Sequence, residues 1–260
     1  MEIVLTIAGS DPSGGAGIQQ DLRTIESLGC YGASVITALT TQNTLGVQSV
    51  MPVPADVVKS QLEAVLSDLD VKAIKIGQIP SAEVAHAIAE TLRHQLSIIN
   101  YQFPIVLDPV MISTSGRRLM SEDAIDIVVS ELFPLCTLIT PNIPEMETLS
   151  GLSGFNAGNY NLLIKGGHAE GTEMADRLCL SNGTQRVYAT EKIESANLHG
   201  TGCALSSAIA ASLALGYPLE DSVARGKDYV TEAIRRGKDL GIGRGNGPVF
   251  NPNGKLPSME

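Results

Sequence analysis

Short apolar, β-branched runs alternate with amphipathic helical stripes along almost the whole chain, and this alternation restricts the fold more than any other feature. Ile3-Val4-Leu5-Thr6-Ile7-Ala8 reads as a buried strand that breaks at Gly9-Ser10-Asp11-Pro12-Ser13-Gly14-Gly15. The stripe Ile18, Leu22, Ile25 and Leu28 then predicts a helix closed by Gly29, with Gln19, Gln20, Arg23 and Glu26 left for solvent. The pattern recurs: a helical stripe from Val58 to Leu69 precedes the strand-like Lys72 to Ile76, and a helix through Val84, Ile88, Leu92 and Leu96 precedes Ile105-Val106-Leu107. A helix with Ile125, Val128, Val129 and Leu132 follows, then Leu138-Ile139, and later Leu162-Leu163-Ile164. Alternation of this kind predicts an α/β three-layer sandwich, a mostly parallel sheet with helices on both faces.

Two pieces depart from it. Arg177 to Leu180 and Gln185 to Ala189 flank Asn182-Gly183, a hairpin signal that predicts an antiparallel edge. No Pro/Ser-rich linker, charge block or internal repeat divides residues 1–260, so a single domain is expected. After Gly241 the chain is rich in Gly, Pro and Asn, which fits either a floppy terminus or a loop closing over a site.

Composition narrows the functional classes. Hydrophobic residues make up 43% and charged residues 18% of 260, which excludes disorder. The formal net charge is −10, with only Arg117-Arg118 and Arg235-Arg236 as adjacent basic pairs, which disfavours nucleic acid. No apolar run is long enough to cross a bilayer and the first residues lack a leader's basic region, so no membrane partner and a cytoplasmic location are expected. The four cysteines, Cys30, Cys136, Cys179 and Cys203, show neither disulfide nor zinc-finger spacing.

Polar residues collect at strand ends, where open α/β sheets bind ligands. Asp11 follows the first strand, Asp108-Pro109 the Ile-Val-Leu run, Thr140-Pro141-Asn142 with Glu145 the Leu-Ile pair, and Lys165-Gly166-Gly167-His168 the Leu-Leu-Ile run. Any one of these fits an ordinary turn; four together point to a site. The strongest single motif is His199-Gly200-Thr201-Gly202-Cys203 leading into a small, uncharged helix, whose N-terminal N–H groups form an anion hole unless glycine merely caps the helix. Cys203 is either a small buried hydrophobe or, at a helix N-terminus, a thiol of lowered pKa able to act as base or nucleophile. Gln42, after the strand-like Val35-Ile36, offers the paired donor and acceptor that a heterocycle edge requires, or is plain turn surface. The P-loop lysine and the dinucleotide-binding glycine pattern are missing.

With Ala8 to Gln19, Ala38 to Thr44, Asp108-Pro109-Val110-Met111, Thr140-Pro141-Asn142, Lys165 to His168 and His199 to Cys203 in this order, the chain resembles the hydroxymethylpyrimidine/phosphomethylpyrimidine kinases of thiamine biosynthesis, within the ribokinase-like superfamily. The resemblance covers nearly the whole chain; Gly-Thr-Gly-Cys is its most specific element, since most sugar kinases of the superfamily carry aspartate where Cys203 stands. It implies an ATP- and Mg²⁺-dependent enzyme, a homodimer, that phosphorylates the hydroxymethyl group and then the resulting phosphate. It further implies that Gly9, Gln42, Gln78 and Val110, with Asp21 nearby, hold the pyrimidine. Cys203 then stands as general base, Gly200, Thr201 and Gly202 form the anion hole, and Asp108, Glu145 and Lys165 serve MgATP, the two carboxylates reaching the metal through water. Three departures accompany it: Gln78 where methionine is common, a shortened stretch between Glu145 and Lys165, and Asn251-Pro252 in place of a histidine-containing tail. The competing expectations are a pyridoxal kinase and a catalytically silent pyrimidine-binding protein.

Overall fold

Strands β1 (Ile3–Ser10), β2 (Tyr31–Asn43), β3 (Gly46–Pro52), β4 (Val71–Ile76), β5 (Ile105–Leu107), β6 (Leu138–Ile139), β7 (Leu162–Ile164), β8 (Glu173–Cys179) and β9 (Gln185–Glu191) form one sheet. Their spatial order is β3-β2-β1-β4-β5-β6-β7-β8-β9. The computed structural model describes residues 1–98, 103–166 and 173–251; Gly167, His168 and Pro252 lie outside the described residues. Six central strands from β2 to β7 pair in parallel. The sheet ends antiparallel on both sides, at β2/β3 and at β7/β8/β9.

Helices cover both faces, which explains why the central strands read as continuous apolar runs. Leu5, Ile7, Ile74, Ile76, Ile105 and Leu107 point to one side, where they meet helices α2 (Ala55–Asp68), α3 (Ala82–Ile98) and α4 (Glu122–Ile127). Their neighbours Val4, Ala73 and Val106 point to the other side, against α1 (Gly17–Ser27), α6 (Thr201–Ala214) and α7 (Leu219–Gly237). Small residues such as Ala204, Ala208 and Ala211 let α6 lie close to the sheet, and all three are buried. A short α5 (Ile143–Ser150) completes the set of α-helices.

The alternating strands and helices and the Asn182-Gly183 hairpin stand as the sequence predicts. Three readings need correction. Gln20 is buried, at 2% exposure, where its amide donates to Thr24 Oγ1. β2 runs on to Asn43 and pairs with β3, so Gln42 lies on a strand; the second edge leaves no sequence signal because β3 is nowhere fully buried and carries no apolar run. The helix expected through Leu132 is α only over Glu122–Ile127, widens to a π turn over Val128–Leu132 and tightens to a 3₁₀ turn at Phe133–Leu135. Pro134, which has no N–H and crowds the carbonyl four residues back, accounts for the break. The segment after Gly241 is a loop on the β2–β3 turn, where a Cβ on Gly243 would lie 2.3 Å from Thr44 Oγ1 and one on Gly245 2.2 Å from Thr44 O. The shortened stretch before Lys165 leaves α5 at eight residues, and Phe155 and Tyr160 stack at 5.8 Å and pack their edges on Phe133.

Candidate active site

Because β1, β4, β5, β6 and β7 run parallel, Asp11, Gln78, Asp108, Asn142 and Lys165 come to the same edge of the sheet. The N-terminus of α6 is docked there. Gly200 has φ 84°, and a Cβ on it would lie 1.9 Å from Gly15 O, so both the backbone conformation and the contact require glycine. Gly202 has a Cα facing the Asp108–Lys165 pair: a Cβ would meet Asp108 Oδ2 at 3.1 Å and Lys165 Nζ at 3.5 Å. Lys165 Nζ donates to Asp108 Oδ1 at 2.6 Å, and Thr140 Oγ1 donates to the same oxygen at 3.2 Å. First-turn N–H groups have no intrahelical acceptor and carry the positive end of the helix dipole; that of Thr201 is taken by Leu198 O at 3.3 Å, so Gly202 is the glycine that faces the pair. Together with Lys165 they make a cradle for an anion.

Burial would lower the Lys165 pKa, but Asp108 and Glu145 more than offset it and hold the ammonium charged. Glu145 closes a capping box with Asn142 and also approaches Met111 N. Burial pushes its carboxyl up to about 7, with Lys165 opposing and Asp108 reinforcing. Among the described residues no cluster of three or more His, Cys, Asp or Glu could hold a metal alone. The cradle, which a Cβ at 202 would crowd, and its two carboxylates fit a nucleotide phosphate with Mg²⁺ held largely by phosphate and water.

A cleft of about 240 Å³ opens beside the cradle between the β2–β3 turn, the Ser113 to Ser115 loop and His199. Gln42 lines it, with Nε2 3.1 Å from His199 Nε2. His199 Nε2 is 2.8 Å from Asp11 Oδ2. Burial would raise the Asp11 pKa, but hydrogen bonds from His199 and Ser13 hold it below its ordinary value. Gly9 lies against Gln78, where a Cβ would fall 2.1 Å from Oε1. Gln78 is 9% exposed and its Nε2 is buried without a hydrogen-bond partner, a donor awaiting an acceptor. Val110 is half-buried and its N–H donates to Asp108 O, turning the chain away from β5.

Two expectations about the site are corrected. Asp21 exposes no surface to a ligand; it lies beneath the site, ion-paired with Lys75 at 2.8 Å and accepting from Thr6 and Ser207. Cys203, half-buried in the first turn of α6, does not have a lowered pKa. Burial pushes its thiol up to about 11, outweighing Lys75, and the Asp21 and Asp108 carboxylates act in the same direction. Sequence reasoning missed the Asp11–His199 pair, whose members are 188 residues apart. The Lys75–Asp21 pair did leave a signal: a lysine inside an apolar strand, and an aspartate on the Ile18–Ile25 face of its helix.

A mostly parallel sheet with helices on both faces, carrying an anion cradle and a lysine–carboxylate pair at its strand ends, defines a phosphotransferase of the ribokinase-like fold. The model of the family described as "Phosphomethylpyrimidine kinase" matches residues 11–250, and the chain belongs to that family. It is 46% identical to the hydroxymethylpyrimidine/phosphomethylpyrimidine kinase of Rhizobium meliloti (strain 1021) over 96% of each chain. It is 44% identical to the thiamine biosynthesis bifunctional protein ThiED of Geobacter sulfurreducens, of which it spans 51%. Among solved structures it is similar to the phosphomethylpyrimidine kinase of Clostridium difficile 630, with TM-score 0.74 and 42% identity over 90% of this chain and all of that one. It is also similar to the pyridoxal kinase of Staphylococcus aureus in complex with ADP, with TM-score 0.83 and 31% identity over 97% of this chain and 94% of that one.

Proposed function

We propose that the chain transfers a phosphoryl group from ATP to the hydroxymethyl group of 4-amino-5-hydroxymethyl-2-methylpyrimidine, and a second one to the monophosphate, in thiamine biosynthesis. The observation that carries this reading is the side-by-side placement of the Gly202, Lys165 and Asp108 cradle and a cleft lined by the Gln42 amide. The names of the relatives at 37–46% identity support it.

ATP supplies the phosphoryl group. In our reading the backbone at Gly200 to Gly202 and Lys165 neutralise charge on the transferred group, and Asp108 and Glu145 would hold Mg²⁺, which would supply further charge neutralisation. Gln42, which lines the cleft, and Gln78, Gly9 and Val110, which lie outside its lining, together hold the pyrimidine in this reading. The substrate oxygen bonds to phosphorus in line with departing ADP, and its proton passes to Cys203 Sγ. With a thiol pKa near 11, the accepting thiolate is a minor species at neutral pH. In the second transfer the attacking phosphate oxygen carries no proton, so no base is needed.

We further propose a single kinase domain over residues 1–260, a cytoplasmic location and a homodimer. Leu39 and Met51, cross-strand partners on the β2–β3 edge, are both exposed, and so is Leu45 at its turn. Light scattering of the purified chain tests the dimer. A pyridoxal kinase reading draws on the fold match to the Staphylococcus aureus enzyme. ADP release with the pyrimidine, its monophosphate and pyridoxal side by side separates the two; turnover of pyridoxal alone would reverse the assignment.

A further inference from the structure

Gln42 presents a conflict of hydrogen-bond roles. Its Nε2, which carries two protons, lies 3.1 Å from His199 Nε2, and its Oε1 lies 3.2 Å from Thr40 Oγ1. Asp11 Oδ2, 2.8 Å from the same imidazole nitrogen, belongs to an ionised carboxylate that already accepts from Ser13 and Ala16. A carboxylate only accepts, so His199 Nε2 must carry a proton, and it faces an –NH₂. At the other end Thr40 has one hydroxyl proton, donated to Ser10 O at 3.0 Å. Thr40 must then accept from Gln42, not donate to it. Turning the amide by half a revolution resolves both ends at once, since its oxygen and nitrogen have the same shape.

We propose that Asp11 and His199 are positioning residues that fix the Gln42 amide with its oxygen toward the imidazole and its nitrogen toward Thr40, and thereby set the donor and acceptor pattern by which the site selects a heterocycle. In this relay the single Nε2–H of His199 is shared between Asp11 Oδ2 and Gln42 Oε1, and Gln42 Nε2 donates in turn to Thr40, whose hydroxyl donates to Ser10 O. It leaves one N–H and one lone pair of Gln42 for a ligand. That pair complements a ring nitrogen beside an exocyclic amine. A 4-oxo pyrimidine offers the reverse order, a carbonyl oxygen beside a ring N–H, and only an amide free to turn can accept both. The loop contacts hold His199 in place: its N–H donates to Gly247 O and its carbonyl accepts from Val249 N.

This selectivity rests on the pyrimidine kinase reading, but the relay itself can be tested without substrate. Long-range proton–nitrogen NMR of the imidazoles in the full chain, with His199 assigned by loss of its signal in His199→Asn, should show a protonated Nε2. A neutral ring protonated only at Nδ1 would overturn the relay. In turnover, the wild type should prefer the 4-amino pyrimidine over its 4-oxo analogue by roughly tenfold to a hundredfold, the range for a bidentate amide contact. Thr40→Val and His199→Asn should reduce that preference to within about threefold while the KM for ATP stays unchanged. Equal losses on both pyrimidines with the preference intact would show a merely structural role and overturn the proposal. Failure of the wild type to turn over either pyrimidine would refute the kinase reading instead, and the NMR result would still decide the relay.

Discussion

Replacing Cys203 separates the two phosphorylations if the thiol acts as base. With the pKa raised to about 11, the thiolate is roughly one part in 10⁴ at pH 7 and grows tenfold per pH unit. For the hydroxymethyl substrate kcat/KM should therefore climb with a slope near one from pH 7 to 9. The monophosphate has a second pKa of about 6, so its attacking oxygen is already bare and its profile should be flat above pH 8. Cys203→Ala should lower the first transfer by roughly 10²–10⁴-fold and leave the second within about threefold. The assay is ADP release on each purified substrate, with thermal unfolding recorded at each pH. That control matters because the folded state holds the Cys203 proton more tightly than an ordinary thiol with a pKa of 9.0, and the associated stability, full below pH 9.0, is lost as pH rises through 11. A pH-independent first transfer between pH 7 and 9, or equal loss of both transfers in the alanine variant, would refute the base.

Asp21→Asn leaves Lys75 charged and unpaired in the core and should cost about 3–5 kcal/mol in denaturant unfolding, most of it recovered when Lys75→Met and Asp21→Leu are combined. The Glu145 carboxyl, raised from 4.5 to about 7, favours folding fully below pH 4.5 and loses that contribution as pH rises through 7. Glu145→Gln should therefore flatten the pH dependence of unfolding between pH 5 and 8; an unchanged slope would remove Glu145 as its source. Lys165→Ala and Asp108→Asn should weaken nucleotide binding by calorimetry and leave pyrimidine binding measurable, with the opposite pattern reversing the two subsites. Gln42→Ala should raise the pyrimidine KM by a factor worth roughly 1–3 kcal/mol, well beyond any change for ATP.

The central sheet was legible because its strands are buried on both faces, and continuous apolar runs such as Ile3 to Ala8 announce that environment directly. β3 was not, since a projecting hairpin needs no buried face, and neither was the widened turn after Ile127, which Pro134 dictates from outside the hydrophobic pattern. Strand-end residues at Asp108 and Lys165 could be read as a cluster because parallel topology sends every such end to one edge. The Asp11–His199 contact depends on the docking of α6 against the Gly14 to Ala16 loop, and no local spacing encodes it. Cys203 shows the limit of a dipole argument: the helix N-terminus is present as expected, but burial and two flanking carboxylates outweigh it.

The most direct test is a phosphorus NMR time course with the hydroxymethylpyrimidine, ATP and Mg²⁺ in one tube. The account predicts a monophosphate resonance that rises and then gives way to a pyrophosphate pair, with two ADP formed per pyrimidine consumed. A spectrum that stays at ATP alone, in a sample shown to be folded, would contradict it.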